Sequence, residues 1–171
     1  SKPSASEFLR EWTALVESGS GERGIFNRGN LMTTLPPRRI KHWQEKEVIQ
    51  HNQIVECVGT NPCGEIILRS KQFCNLSEVI GRPEDTEASL LRKIRLATIL
   101  GTYQASLTQF SYLSEAWKEN CEAERLLGIS ITGQWDCKAS RDPNILTKLK
   151  RKARLVNQEY AKRFEMNEAT C

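Results

Sequence analysis

Several features that mark special classes of protein are scarce or missing in this sequence. Histidine occurs only at positions 42 and 51, and the six cysteines show neither a C-x-x-C pair nor zinc-finger spacing, so we expect no structural metal site. No apolar run reaches the roughly 18 residues of a transmembrane helix, and no charged and then apolar leader precedes a small-residue cleavage site. We therefore expect a protein of the reducing cytoplasm that does not associate with membranes.

The composition is that of an ordinary globular domain. The 171 residues are enough for one domain with a sizeable core, and 39% of them are hydrophobic and 27% charged. The net charge of +4 suits an anionic ligand such as a nucleotide, but it is equally compatible with a protein that binds none. The basic run at 148–152 is typical of the solvated face of an amphipathic helix, so we expect no nucleic-acid binding.

Local signals in the first third of the chain predict a helix, a strand end and a loop. Ser4 and Glu7 form a capping box ahead of a helix that should end in the glycine and serine cluster at 18–21. Residues 24–27 are apolar enough for a buried strand end, whereas 29–41 contain two adjacent prolines and are predicted as a loop.

The remainder of the chain predicts further strands and three helices. Strands are expected over 54–58 and 66–68, on either side of a loop, and a third, bounded by glycines, over 128–133. We expect a buried helix over about 85–107, a polar helix over 114–126 and a last helix that starts at the Asp142–Pro143 pair. The alternation of helices and short strands predicts the α/β class.

The strongest chemical signal is the string Asn61-Pro62-Cys63-Gly64-Glu65-Ile66, which Cys74-Asn75-Leu76 follows closely. The proline and the glycine break regular structure, so Cys63 is expected on a tight loop. A thiol can hold a radical or act as a nucleophile, a glutamate two residues away can accept a proton, and Asn61 can orient a hydroxyl group. Cys74 can carry reducing equivalents by thiol–disulfide exchange. The alternative is that each cysteine is a small packing residue and Glu65 a surface charge.

These strings resemble the active-site region of the adenosylcobalamin-dependent (class II) ribonucleotide reductases, of the ribonucleoside-triphosphate reductase type. The segments at 21–28, 72–79, 125–133 and 169–171 resemble other parts of that family in the same order, so the likeness covers almost the whole chain. Class I reductases usually read Asn-Leu-Cys before the glutamate, and the glycyl-radical class lacks the string. The sequence therefore favours class II.

The resemblance implies a role for each residue of the string. Cys63 would be the thiyl radical that takes hydrogen from C3′ of the substrate ribose, and Glu65 would be the base on the 3′-hydroxyl. Asn61 would hydrogen-bond near the reacting hydroxyls. Cys74 would be one half of the redox pair that delivers electrons as the 2′-hydroxyl leaves as water.

The resemblance also implies a fold, a cofactor and partners. The chain would be a segment, residues 1–171, of the ten-stranded α/β barrel of the reductases, incomplete at both ends. The cofactor would be adenosylcobalamin. The partners would be the remaining segments of the reductase chain, a ribonucleotide substrate, a nucleotide effector and a thioredoxin-type reductant.

Several family features are missing from the sequence. No upstream cysteine has the setting expected of the Cys74 partner, and neither the C-terminal cysteine pair nor the phosphate loop is present. An internal fragment explains this, and Ser1 and Cys171 are residue types found at intein splice junctions. Two alternatives remain, a catalytically inactive reductase-like module that binds nucleotides or a partner, and a basic nucleic-acid-binding protein whose affinity would fall steeply with salt.

Overall fold

The structure is a computed structural model that describes residues 3–21 and 24–170. Glu22, Arg23 and Cys171 lie outside the described residues, so the predictions that fall on them have no structural counterpart. The chain divides into two units, Ser1–Thr33 and Thr34–Cys171. Its mixture of helices and small sheets is compatible with the predicted α/β class.

The first unit is dominated by helix α1, Ala5–Ser18. The predicted capping box is present, because the Ser4 side chain accepts from the Glu7 backbone and the Glu7 carboxylate accepts from the Ser4 backbone. Gly19 then ends the helix in the left-handed conformation, with φ of 56°. The strand end predicted at 24–27 is wrong, since no strand forms there and both apolar side chains, Ile25 and Phe26, are exposed. A 3₁₀ turn at Arg28–Asn30 follows.

The predicted loop at 29–41 is largely helical. A short helix α2, Leu31–Thr34, precedes helix α3, Pro37–Glu45. Pro37 stands in the first turn of α3, where its missing N–H costs no helical hydrogen bond, so the proline pair starts a helix instead of preventing one. Two side chains of α3 are fully buried, Arg39 and Trp43.

Two small antiparallel hairpins come next. The first pairs β1, Ile49–Gln50, with β2, Gln53–Ile54, and the second pairs β3, Val58–Thr60, with β4, Ile67–Arg69. The strand predicted over 54–58 is therefore interrupted, because the residues between Ile54 and Val58 lie outside both ladders. Cys57 lies in that interruption and is exposed.

The core is built on two parallel strands, β5, Asn75–Ile80, and β6, Leu127–Thr132. Between them in the chain are helix α4, Glu87–Ser106, and helix α5, Glu115–Glu124; after a 3₁₀ turn at Lys138–Arg141 comes helix α6, Pro143–Arg163. Helix α4 packs against both strands and against α6. The buried side chains of this core are Val79, Leu90, Ile94, Ala97, Cys137 and Leu149.

Capping signals place the ends of the long helices close to the predicted positions. Thr86 caps α4 and accepts from the Ser89 backbone, and Asp142 caps α6 and accepts from the Asn144 backbone. The basic run at 148–152 lies on the outer side of α6, where Lys148, Lys150 and Arg151 are exposed, so its prediction as a solvated face is confirmed. None of the helices within the described residues has the length and apolar composition needed to cross a bilayer.

Gly133 lies where its backbone closely approaches the backbone of Gly81. Its φ is +74°, and a Cβ added there would lie 2.4 Å from the carbonyl oxygen of Gly81. We expect Gly133→Ala to lower the free energy of unfolding by about 1–2 kcal/mol from the left-handed backbone and by a further 1–3 kcal/mol, roughly, from the clash. Urea denaturation measures the loss.

Gly64 provides the matched control for this substitution. It also has a positive φ, of +81°, but a Cβ there would meet no atom within 4 Å. Gly64→Ala should therefore show only the left-handed backbone cost, and equal losses for the two variants would contradict the proposed clash at Gly133.

Asp85 makes the stability of the α4 start dependent on pH. Its carboxylate accepts from Lys93 Nζ at 2.5 Å, from Ser89 Oγ at 2.6 Å and from the Arg82 backbone N–H at 2.8 Å. The bond from Lys93, followed by those from Ser89 and Arg82, lowers the pKa of Asp85 from 3.8 to about 2. A group whose pKa is lowered by folding stabilises the folded state at pH values above its pKa in the unfolded chain. This stabilisation is lost as the pH falls through its pKa in the folded protein.

We therefore expect Asp85→Asn to reduce the free energy of unfolding near neutral pH, with a difference from the wild type that shrinks as the pH falls from about 4 to about 2. Urea denaturation over that pH range measures the difference. A difference independent of pH would show that the Asp85 charge does not contribute.

Candidate functional site

The string Asn61-Pro62-Cys63-Gly64-Glu65-Ile66 forms the tight loop of the β3–β4 hairpin, as predicted. The Asn61 backbone closes the loop by donating to the Ile66 carbonyl at 3.3 Å and accepting from the Gly64 N–H at 3.0 Å. The Asn61 side-chain oxygen accepts from the Ile66 N–H at 3.3 Å. Gly64 supplies the positive φ that the turn needs. Asn61 is therefore also a structural part of the loop.

The loop brings two of the predicted site residues into direct contact. The Asn61 side-chain amide donates to a carboxylate oxygen of Glu65. Cys63 lies between them in the sequence, and its thiol is free and exposed. An accessible thiol, a carboxylate and an amide thus share one exposed turn of six residues, where a substrate hydroxyl can meet an acceptor and a donor together.

Cys74 lies on a different segment, immediately before β5. It is half-buried. The neighbouring Asn75 N–H donates to the Leu126 carbonyl at 2.8 Å, which extends the pairing of β5 with β6 by one step. The core sheet therefore holds the chain on the C-terminal side of Cys74, whereas Cys63 lies on the hairpin loop.

Two cysteines, Cys121 and Cys137, differ in setting from Cys63, whereas Cys57 is exposed like it. Cys121 and Cys137 are buried, and burial raises the pKa of the Cys121 thiol above its usual value, an effect only partly offset by the Phe73 backbone N–H. A buried thiol with a raised pKa is a poor nucleophile, which favours a packing role for Cys121. Within the part of the chain that the structure describes, no three histidine, cysteine or acidic side chains are grouped as metal ligands.

A buried carboxylate that the sequence did not reveal lies beside these segments. Glu124, the last residue of α5, is completely buried and accepts from Arg39 Nε at 2.7 Å and Nη2 at 3.3 Å. Trp43 Nε1, Gln72 Nε2 and Thr170 Oγ1 donate to the same carboxylate at 3.1, 2.7 and 3.1 Å. We call these five residues, Arg39, Trp43, Gln72, Glu124 and Thr170, the Glu124 cluster.

Charge and hydrogen bonds keep Glu124 ionised in spite of its burial. Burial alone would raise the pKa of Glu124, but the hydrogen bonds and the charge of Arg39, with the bonds from Gln72 and Trp43, outweigh it and lower the pKa below the usual value. A buried charge needs such partners to be tolerated. In the sequence, Glu124 is one of several acidic residues on a polar helix, and no local pattern marks it as buried.

The two parallel strands expose one face of their sheet. Ser77 and Val79 of β5 point into the core, whereas the alternating residues Leu76, Glu78 and Ile80 are exposed. The exposed face carries large apolar side chains, and parallel strands usually have both faces covered. This face is therefore a surface that further structure could cover.

Comparison with known proteins provides no relative of this chain. No family model, curated protein or solved structure matches it.

Proposed function

We propose that this chain is a segment of an adenosylcobalamin-dependent ribonucleotide reductase, an enzyme that converts ribonucleotides to 2′-deoxyribonucleotides by thiyl-radical chemistry. The observation that carries the proposal is the exposed hairpin loop, on which Cys63 lies between Asn61 and Glu65 in the sequence and those two side chains are hydrogen-bonded to each other. The resemblance of the sequence supplies the reaction, and the geometry of the loop supports it.

Each group on the loop has a defined part in the reaction. The Cys63 sulfur radical takes the hydrogen atom from C3′ and later returns it. Glu65 accepts the proton of the 3′-hydroxyl as the 2′-hydroxyl leaves as water, and it returns this proton when the 3′-hydroxyl re-forms. Asn61 orients Glu65 through their hydrogen bond and offers its amide to the substrate hydroxyls.

Cys74 supplies reducing equivalents. With a second thiol from another segment of the reductase it gives up two electrons and two protons and becomes a disulfide. The proton balance is complete, because the 2′-hydroxyl leaves as water and a hydrogen replaces it on carbon. A thioredoxin-type reductant then reopens the disulfide for the next turnover.

One part of the fold is compatible with a segment of a larger α/β barrel. The β5–α4–α5–β6 stretch is a parallel pair joined by a helical crossover, which is the repeating unit of α/β folds, barrels among them. The exposed apolar residues of β5, Leu76 and Ile80, lie on the sheet face away from α4. In the proposed barrel, further strands would extend this sheet and cover that face.

The apolar cleft of the core does not fit the cofactor. This cleft, of about 290 Å³ between β6, α4 and α6, is lined mainly by aliphatic side chains and is too small for a molecule of the size of adenosylcobalamin. We assign adenosylcobalamin and the formation of the radical to other parts of the reductase, and the steps above use only residues of this chain.

The proposal is tested by reassembling a reductase from this chain and its remaining segments. The chain is expressed alone and together with the remaining segments of a class II reductase, and deoxynucleotide formation is measured with adenosylcobalamin and a dithiol. We expect no activity from the chain alone and activity from the reassembled protein. Nucleotide binding without turnover in the reassembled protein would favour the inactive module, and neither binding nor turnover would reject both proposals.

A further inference from the structure

We propose that Glu124 is a positioning residue that fixes the segment carrying Cys74 relative to the hairpin carrying Cys63. Its consequence for electron delivery by Cys74 rests on the proposed reductase function. The structural part of the proposal does not depend on that function, because it concerns only which segments are attached to one buried carboxylate.

Arg39 joins Glu124 to the hairpin. Its Nε donates to Glu124 at 2.7 Å, and its Nη1 donates to the backbone carbonyl of Ile67, in β4, at 2.7 Å. The guanidinium group is planar and rigid, so both bonds are made in one fixed geometry. Glu124 therefore determines the orientation of a side chain that also binds the hairpin backbone directly after the Cys63 loop.

Gln72 joins Glu124 to the Cys74 segment. Its side-chain amide donates to Glu124 at 2.7 Å and to the Asn120 carbonyl at 3.1 Å, and its side-chain oxygen accepts from the Arg69 N–H at 3.0 Å. Gln72 is buried and lies two residues before Cys74. Since both the nitrogen and the oxygen of its side-chain amide are hydrogen-bonded, the path of the chain from β4 to Cys74 depends on the position of the Glu124 carboxylate.

A third segment, which contains Thr170, also binds Glu124. The Thr170 N–H donates to the Glu124 carbonyl at 3.0 Å, and its hydroxyl donates to the carboxylate at 3.1 Å. Three stretches that are distant in sequence are therefore attached to Glu124. The hairpin with the proposed radical thiol is attached through Arg39, and the segment with the proposed redox thiol is attached through Gln72. No such convergence is needed merely to end α5, because Arg125 already ends it in the left-handed conformation.

The experiment measures thiol reactivity in the intact chain. The rate of alkylation by iodoacetamide is followed separately for each cysteine by mass spectrometry. The variants are Glu124→Gln and Gln72→Met; the second removes the link toward Cys74 and leaves the Arg39–Glu124 pair intact. Cys137, which is fully buried in the core, reports global unfolding in the same sample.

We expect Cys74 to react about fivefold faster in both variants, as for the loss of one buried hydrogen bond, while the rate at Cys137 stays unchanged. Asp85→Asn is the control, since it removes a carboxylate at the start of α4, remote from Glu124, and should leave the Cys74 rate close to its wild-type value. If Glu124→Gln unfolds, so that Cys137 reacts as in denaturant, Gln72→Met alone decides.

An unchanged Cys74 rate in the variants that remain folded, a rate that rises only in step with Cys137, or the same rise in Asp85→Asn would overturn the proposal. Turnover is not part of this measurement. Failure of the reassembled reductase would therefore reject the proposed function while the thiol rates still decide the role of Glu124.

Discussion

Replacing Cys63 by serine is expected to abolish deoxynucleotide formation by the reassembled reductase. A serine hydroxyl has nearly the same shape as the thiol, but its O–H bond is too strong for the oxygen to hold the radical. Binding of the cofactor should survive, because no cobalamin contact is assigned to Cys63. The measurement compares deoxynucleotide yield and cofactor binding in the wild-type and Cys63→Ser proteins, and normal turnover in the variant would remove Cys63 as the radical site.

Two further variants separate the proposed roles. Cys74→Ser should lose multiple turnover with a dithiol but retain formation of the radical, since only the supply of electrons is interrupted. Glu65→Gln keeps the shape of the side chain and can still accept from Asn61, but it removes the base, so the rate should fall by roughly 10²–10⁴ with little change in nucleotide affinity. If all three variants lost cofactor binding and folding together, the separate roles would be contradicted.

Replacing Arg39 by methionine is expected to cost about 3–5 kcal/mol of the free energy of unfolding, because it leaves the Glu124 carboxylate buried without its counter-charge. The two residues are 2% and 0% exposed, so solvent cannot replace the lost partner. Urea denaturation of the wild-type and Arg39→Met proteins measures the effect. A loss within about 0.5 kcal/mol, as for a surface change, would contradict the burial of this pair.

The pH dependence and a double variant identify the cause of that loss. Without Arg39, burial dominates and the pKa of Glu124 should rise above its unfolded value. A pKa raised by folding gives stability at low pH that is lost as the pH rises through the folded value, so the variant should be less impaired near pH 5 than near pH 8. Combining Arg39→Met with Glu124→Gln removes the charge and should recover most of the loss. Additive losses in the double variant would show that the ion pair is not responsible.

Elements whose signals lie within a few residues could be predicted from the sequence. The capping residues Ser4, Thr86 and Asp142 contact backbone groups two or three positions away, so each of them defines a helix start wherever the helix finally packs. The loop position of Cys63 is equally local, because Pro62 and Gly64 exclude regular structure on either side of it.

Strand β5 could not be predicted, because a polar side chain of this strand is buried and two of its large apolar side chains are exposed. Ser77 is buried and donates to the Ala97 carbonyl at 2.9 Å, whereas Leu76 and Ile80 are exposed. The segment is a strand because β6, far along the chain, pairs with it in parallel.

The sequence by itself determined the starts of α1, α4 and α6, the exposed loop and the residues on it that can do chemistry, since these depend on short-range contacts and on side-chain type. Only the tertiary structure decided that Glu124 is buried against Arg39 and Gln72. The environment of a charge is set by segments that are remote in the chain, and in the sequence a buried glutamate is identical to one on the surface. The partners that keep Glu124 ionised are brought to it only when α3, α5 and the segment before β5 pack together.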